Sequence, residues 1–590
     1  MNGPLLILTT VPWTLKTLFA GQIRGLVEAG FEVHAASSPG EDLERFAAAA
    51  GVPVHPVPMQ RRIVPVADLL SVWRIWRLVL KLRPSIVHAH TPKAGLVGML
   101  AAWLAGVPFR VYTVHGLPLE THRGWIRWLL VTAERLSCAL AHEVVAVSPS
   151  VARELAALRI TTRAVLLGDG SMFGISPERF NAVRWRHARE GVRQRYGIPR
   201  SALLIGFVGR IVRDKGIVDL ASAWPHVRDS DPAIHLLLCG AAEEEDPVPL
   251  AVIRSLRACP RVHWTGGMVE EMPAIYAALD LLVLPTYREG LPTVVLEAAA
   301  MEVPAVVTAV TGAVDAVVAG ETGLLVPPRD PQALSGAIRR LAGDPCLRAR
   351  LGASARERVV ARFSGDRVLT ALLALYRRRP RPLSYRWAKR ILDVSAACLG
   401  LLALAPVLAA VAIAVRLSLG SPVLFRQDRL GYRGRPFRLY KFRTMTEERS
   451  AGGCLLSDAV RLTRLGCWLR ASSLDELPQL VNVLRGEMSL VGPRPLLPQY
   501  WERYSPTQRR RHDALPGITG WAQIHGRNAV DWDDRFALDI WYVDHADFLV
   551  DLGILLRTVA AIFARRGIRS PGHSTMPEFL GSQGERASST

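Results

Sequence analysis

The sequence predicts an α/β protein with two regions of parallel, helix-covered sheet followed by a small α-rich domain that enters a membrane. Three observations carry this. Short apolar runs alternate with amphipathic stretches from Leu5 to about Tyr196, the same alternation restarts near Leu203, and an uncharged run extends from Val394 to Val415. A parallel sheet needs a helical crossover between successive strands, so such alternation reads as a series of βα units. At 590 residues the chain also exceeds what one hydrophobic core organises, which favours several domains.

Taken in order, LLILTT from Leu5 reads as a first strand, FAGQIRGLVEAG as a helix and FEVHAASS as the next strand. Ser85–His90, Phe109–Gly116 and His142–Ser148 repeat the theme, with polar residues at the carboxyl ends of the strands, where ligands bind in open α/β sheets. The second series comprises LLIGFVGR, HLLLCG, RVHWTGG, LLVLPT and AVVTAV, and it fades after Arg362. Two βα series imply two Rossmann-like lobes with a cleft between them, residues 1–198 and 199–376. The stretch RRRPRPLSYR from Arg377 to Arg386 reads as a basic, proline-containing linker, placed at 377–385.

The final domain is expected over 386–570, with a tail at 571–590 expected to be disordered. As a straight helix the run from Val394 to Val415 would reach about 33 Å, enough to span a bilayer core. Its flanks are both basic, however: Arg386, Lys389 and Arg390 precede it, and Arg416, Arg426 and Arg429 follow. The positive-inside rule wants one such flank, so the segment is read as a re-entrant helix, about 391–416, that enters and leaves on one side. Pro406 supplies the kink by removing a helical hydrogen bond. A buried core helix is the alternative, but such runs usually stop short of this length. Phe548–Gly567 is amphipathic, suiting either the membrane interface or a core.

The net charge of +21 calls for a polyanionic neighbour. No nucleic-acid module is recognisable and the densest basic residues flank the apolar segment, so lipid headgroups fit better than nucleic acid. Seven scattered cysteines show no ligand spacing and read as reduced thiols. The N-terminus lacks the basic start and small-residue cleavage site of a signal peptide.

In EGLPTVVLEAAA (Glu289–Ala300) two carboxylates follow a strand, and a helix starting near Pro292 points its free N–H groups at the same place. Ionised acceptors suit sugar and ribose hydroxyls, and the helix start suits phosphate. As bare spacing this is weak: a solvated helix face would account for Glu297 and a satisfied strand-end histidine for His115. With FVGRIVRDKG and YTVHG beside it, however, the region resembles the retaining GT-B glycosyltransferases that carry an E-x7-E motif. The resemblance implies that Glu289 is catalytic and that His115, Gly290 and Glu297 bind the donor. It further implies that Arg210 and Lys215 neutralise the donor diphosphate, and that the transfer needs no metal.

Beyond the linker, FRQDRLG, YKFRTM, SSLDELPQLVNVLRGEMSLVGPRP and LPGITGWAQIHGRN are rich in Arg, Gly, Pro and acids, which is costly unless they build a site. Ser473 and Glu476 fit a capping box, but that would put Pro478 past the first helical turn. A helix starting at Asp475 puts Pro478 in the first turn and the Asp475–Glu476 pair at a positive helix end. These words, with LDIWYVDH (Leu538–His545), resemble the monotopic polyprenyl-phosphate phosphoglycosyl transferases of the bacterial sugar transferase family. The resemblance implies that Asp475 and Glu476 are catalytic, that Asp475 also helps to hold Mg2+, and that Lys441, Arg443 and Arg494 bind the nucleotide sugar. A carboxylate suits the nucleophile's role, since it is ionised at neutral pH without a base.

Together the resemblances imply a bifunctional enzyme at the cytoplasmic face of a bacterial inner membrane, monotopic in topology. It takes sugar-1-phosphate from a UDP-sugar to polyprenyl phosphate, releases UMP, and adds a second sugar; its partners are UDP-sugars, polyprenyl phosphate and membrane lipid, with homo-oligomerisation left open. The competing reading is a glycosyltransferase merely anchored by an inactive C-terminal domain, against which the intact Asp475, Glu476 and Arg494 speak.

Overall fold

The computed structural model describes residues 3–60, 62, 64–243, 246–267, 269, 271–377, 383–448, 456–525, 531–563, 579 and 581. Most of the linker and almost all of the C-terminal tail lie outside these residues. The chain divides into two units, Met1–Pro380 and Arg381–Thr590.

The first unit begins with strands β1 (Leu5–Leu8), β2 (Val33–Ser37), β3 (Val54–Pro56), β4 (Ile86–His90), β5 (Phe109–Val114), β6 (Glu143–Ala146) and β7 (Ala164–Leu166). They form one sheet in the order β3-β2-β1-β4-β5-β6-β7. Every pairing is parallel, Leu5 facing both Val33 and Ile86. β1 and β4 are buried along their whole length because helices cover both faces, hence the unbroken apolar run LLIL in β1.

A second sheet follows from β8 (Leu203–Val208), β9 (Ile234–Cys239), β10 (Val262–Trp264), β11 (Leu281–Leu284), β12 (Ala305–Thr308) and β13 (Gly323–Val326), in the order β10-β9-β8-β11-β12-β13. It is also parallel, which gives the two Rossmann-like lobes that the alternation predicts. The helix Gly365–Tyr376 returns to the first lobe. There Leu372, Leu375 and Tyr376 join its core, and Leu369 packs where Gly25 has no side chain.

The second unit opens with two helices, Leu383–Ala403 and Ala405–Leu419, whose axes bend by 63° at Leu404. Pro406 sits at the second position of the second helix, where its missing N–H breaks the backbone ladder and sets the bend. Among the described residues no single helix is long and apolar enough to cross a membrane, whereas this bent pair together has the length and composition. Its outer residues are bare: Leu402 is 75% and Leu417 83% exposed.

After the pair come an antiparallel hairpin, β14 (Leu424–Leu430) with β15 (Pro436–Phe442), and a short parallel pair, β16 (Ser489–Val491) with β17 (Gly517–Thr519). Buried Asp393 of the first helix accepts from Ser489 Oγ and the Leu490 amide, at 3.1 and 2.9 Å. Buried Asp551, in the helix Phe548–Phe563, accepts from Tyr385, Lys389 and Tyr542 at 2.7 Å each. That helix buries Ile554 yet leaves Leu549 and Leu556 exposed, so it has a core face and an apolar outer face at once.

Candidate active sites

In the first unit the carboxyl ends of the strands converge on a cleft of about 230 Å³. It is lined by His115 after β5, Lys215 in the turn Arg213–Lys215, Glu289 and Gly290 after β11, and Pro292, Thr293 and Val294 where the helix Thr293–Ala300 begins. Lys215 Nζ and a Glu289 carboxylate oxygen form an ion pair across it. Gly290 is required sterically, because a Cβ there would lie 2.1 Å from the His115 carbonyl oxygen. The structure thus brings together four of the six residues expected here.

Arg210 and Glu297 do not line the cleft. Arg210 donates to Glu243 at 2.7 Å, and Glu297 accepts from the Tyr276 hydroxyl at 2.7 Å. Burial pushes the Glu297 carboxyl up to about 7, while the Tyr276 hydroxyl that it accepts from opposes the rise.

Behind His115 lies a buried chain that the sequence did not disclose. His115 Nε2 is 3.0 Å from His90 Nδ1, the His88 and His90 ring centroids lie 3.9 Å apart with the rings tilted by 35°, and His88 Nδ1 meets the Tyr376 hydroxyl at 2.5 Å. Burial holds His88 and His90 well below the ordinary histidine value and His115 at about 4, so the group is neutral. The signal was the alternation in IVHAH, which puts two histidines on one face of a strand.

In the second unit Asp475 and Glu476 occupy a 3-10 turn, Leu474–Glu476, and the α-helix begins only at Gln479. This corrects the expected helix start at Asp475. Pro478 cannot donate to Leu474, so i→i+3 bonds such as Leu477 N–H to Leu474 replace the α pattern. The capping box does not form either, since Ser473 has a left-handed backbone (φ 58°) and makes no capping bond. The field at the pair comes from side chains. Lys441 Nζ on β15 and Arg494 Nη2 both donate to Glu476 Oε1, at 2.6 and 2.8 Å.

Burial alone would raise Glu476, but Arg494 and Lys441 outweigh it and hold the carboxyl down at about 2. Asp475 behaves oppositely: burial raises it, with Lys441 opposing. Only 7% of Asp475 is exposed, and among the described residues no hydrogen bond or ion pair engages its carboxylate. Two adjacent acids are therefore split into a clamped one and one without a partner among the described residues.

Among the described residues Arg443 bonds to neither acid; it is buried, with Nη1 donating to the Ser421 carbonyl at 3.2 Å. The loop carrying Arg494 is fixed instead by Arg511, whose Nη2 donates to the Arg494 carbonyl at 2.7 Å while Nε and Nη2 hold Asp539. Arg511 and Asp539 escaped the sequence reading because RRRHD looks like another stretch of basic surface, and nothing in spacing pairs it with an acid 28 positions on. Among the described residues no group of three or more His, Cys, Asp or Glu is placed to cage a metal ion.

Fold and sites define a transferase of activated sugars with two separate centres. Comparison with known proteins gives the family. The chain matches the family described as glycosyl transferase 4-like domain over residues 16–170, glycosyl transferases group 1 over 202–344, and bacterial sugar transferase over 384–565. The uncharacterized sugar transferase EpsL of Bacillus subtilis is 52% identical over 194 residues, 33% of this chain and 96% of its own. The capsular polysaccharide biosynthesis glycosyltransferase CapM of Staphylococcus aureus is 33% identical over 378 residues, 64% of this chain and 97% of its own. The UDP-glucose:undecaprenyl-phosphate glucose-1-phosphate transferase of Caulobacter vibrioides is 43% identical over 204 residues, 33% and 76% respectively. In fold, Anabaena HepE solved with UDP and glucose aligns at a TM-score of 0.54 with 18% identity, over 64% of this chain and 99% of that one. The chain belongs to the group 1 glycosyltransferases in its first unit and to the bacterial sugar transferases in its second.

Proposed function

We propose that the second unit transfers sugar-1-phosphate from a UDP-sugar to polyprenyl phosphate, and that the first unit adds the next sugar to the lipid-linked product. The observation that carries this is the buried Asp475 carboxylate, without a partner among the described residues, beside Glu476, which is clamped by Lys441 and Arg494. An anchor would need neither. The Caulobacter relative, whose name states this reaction with UDP-glucose and undecaprenyl phosphate, supports the reading.

In the proposed reaction an Asp475 oxygen attacks the sugar-bearing phosphorus. The bond to the bridging oxygen breaks, its electron pair leaving with UMP, and a phosphosugar-aspartate forms. A polyprenyl phosphate oxygen then attacks the same phosphorus and frees Asp475. Lys441 and Arg494 offset the diphosphate charge as it takes over from Glu476, and Glu476 keeps both cations in place between turnovers. Asp475, an anionic oxygen donor with no partner among the described residues, is the residue that would hold a magnesium ion. When bound, such an ion would supply further neutralisation of the diphosphate.

In the first unit Lys215 would face the leaving diphosphate, with Glu289 and His115 against the donor sugar, in a retaining transfer that needs no metal. The bent helix pair, basic on both flanks, supports a monotopic seat on the cytoplasmic leaflet. The test is to incubate the purified chain with a short polyprenyl phosphate and a panel of UDP-sugars, following UMP and UDP separately. The proposal expects UMP release with one donor alone, and UDP release only after it. Absence of UMP with every donor and acceptor would overturn it.

A further inference from the structure

Three helices of the first lobe, Pro65–Leu82, Pro92–Leu104 and Gly124–Leu140, follow β3, β4 and β5, each crossing to the next strand in the same direction. Right-handed crossovers put them in one layer on one face of the sheet, the Pro92 helix in the middle and packed against both neighbours. Parallel strands and returning helices also place the three helix starts at the edge of the sheet that carries the cleft.

The middle helix is largely buried, as expected of one that is apolar all round. The outer two bury one face and should show water a polar one, but they do not. The Pro65 helix buries Ser71, Ile75 and Val79, yet its outer stripe opens with Val66, Leu69, Leu70 and Trp73, exposed by 72, 68, 46 and 48%. The Gly124 helix opens with Trp125 and Trp128, exposed by 72 and 69%. An apolar patch of this kind on a soluble surface marks a contact.

The charges around it have one sign. Arg62, Arg74, Arg77, Lys81, Arg123 and Arg127 are all exposed on or beside these two helices, and the Arg77 guanidinium lies 4.8 Å above the Trp73 ring. The acids of the two helices, Asp68 and Glu134, are both taken: Asp68 by Lys93 at 2.7 Å, and Glu134, buried, by the Tyr112 hydroxyl at 2.9 Å. Nothing negative faces outward from either helix.

We propose that the outer face of the helices Pro65–Leu82 and Gly124–Leu140 docks on an anionic lipid bilayer, giving the first lobe a membrane contact of its own. Tryptophans between an apolar stripe and arginines match the headgroup layer, where indole and guanidinium both keep polar contacts. The two outer helices stand about 20 Å apart with a third between them, so the face offers two parallel ridges to a plane. A second copy of the chain would set arginine against arginine across a two-fold axis. The docking deepens the proposed function, and rests on it only for its purpose: a lobe whose acceptor is a lipid gains by lying against the bilayer.

Residues 1–377 can be tested alone, since this unit has its own cores and the staphylococcal relative is a chain of that extent. The fragment is sedimented with vesicles of phosphatidylcholine, with and without phosphatidylglycerol, while tryptophan quenching by brominated lipid is followed. It should bind the anionic vesicles, and the triple changes Trp73, Trp125 and Trp128→Ser, or Arg74, Arg77 and Arg127→Glu, should each weaken binding at least about tenfold. If a triple variant fails to fold, Trp125→Ser and Arg127→Glu singly carry the same readout.

Failure of the fragment to bind, or equal binding by the variants, overturns the proposal. So does a tryptophan-dependent dimer without vesicle binding, which would make the face a self-contact. In the full chain the tryptophan variant should keep UMP release and slow UDP release from acceptor in vesicles, but not from short-chain acceptor in detergent. Loss of UDP release with every acceptor would sink the reading of the first unit, while the vesicle result would still decide the docking.

Discussion

Asp475 and Glu476 are neighbours in sequence with opposite surroundings. Glu476 has two cations bonded to one oxygen; Asp475 has burial and no partner among the described residues. Asp475→Asn keeps size and hydrogen bonding but removes the charge, so UMP release should fall about 10³-fold or more with the circular dichroism unchanged. Near-normal turnover would show a structural role. Glu297 offers a separate check on buried charge. Its carboxyl is raised to about 7 by burial, so its contribution to stability is complete below about 4.5 and lost as pH rises through 7. The thermal midpoint of the ligand-free chain should decline between about pH 5 and 7 and level off above that, and Glu297→Gln should flatten part of that decline; an unaltered slope would show that Glu297 does not carry it. At this scale the sequence named Asp475, Glu476, Lys441 and Arg494 together through their motifs. It missed Arg511 and Asp539, because a buried ion pair between distant residues leaves no local pattern.

Elements were legible wherever one force dominates. Fully buried strands such as β1 and β11 appear as apolar runs, and the uncharged run ending at Val415 announces itself by length. The short strands β3 and β7 did not, since they are only partly buried and lack a clear run. The hairpin β14–β15 was hidden because its arginines read as membrane flank, although their exposed positions lie on a pleated ladder from Leu424–Phe442 to Leu430–Pro436. The turn at the acid pair is not legible, because Ser473, Glu476 and Pro478 suit a helix start whether an α-helix or a 3-10 turn follows. The 63° bend carries its own prediction. With single cysteines placed before Val394 and after Val415 in a cysteine-free background, an impermeant reagent on intact cells should label neither flank. Labelling of either would show a crossing helix.

Each unit has its own core and its own candidate site, so the proposed reactions need not share chemistry. Joining them raises the local concentration of the first product at the second site without a channel, and a lipid product stays on the same surface. Serial action with independent sites is the central claim, and Asp475→Ala tests it most directly. From polyprenyl phosphate and UDP-sugars this variant should release neither UMP nor UDP. Supplied with the polyprenyl-diphosphate-monosaccharide that the unaltered chain extends, it should release UDP at the unaltered rate, whereas failure to extend that lipid would contradict the account.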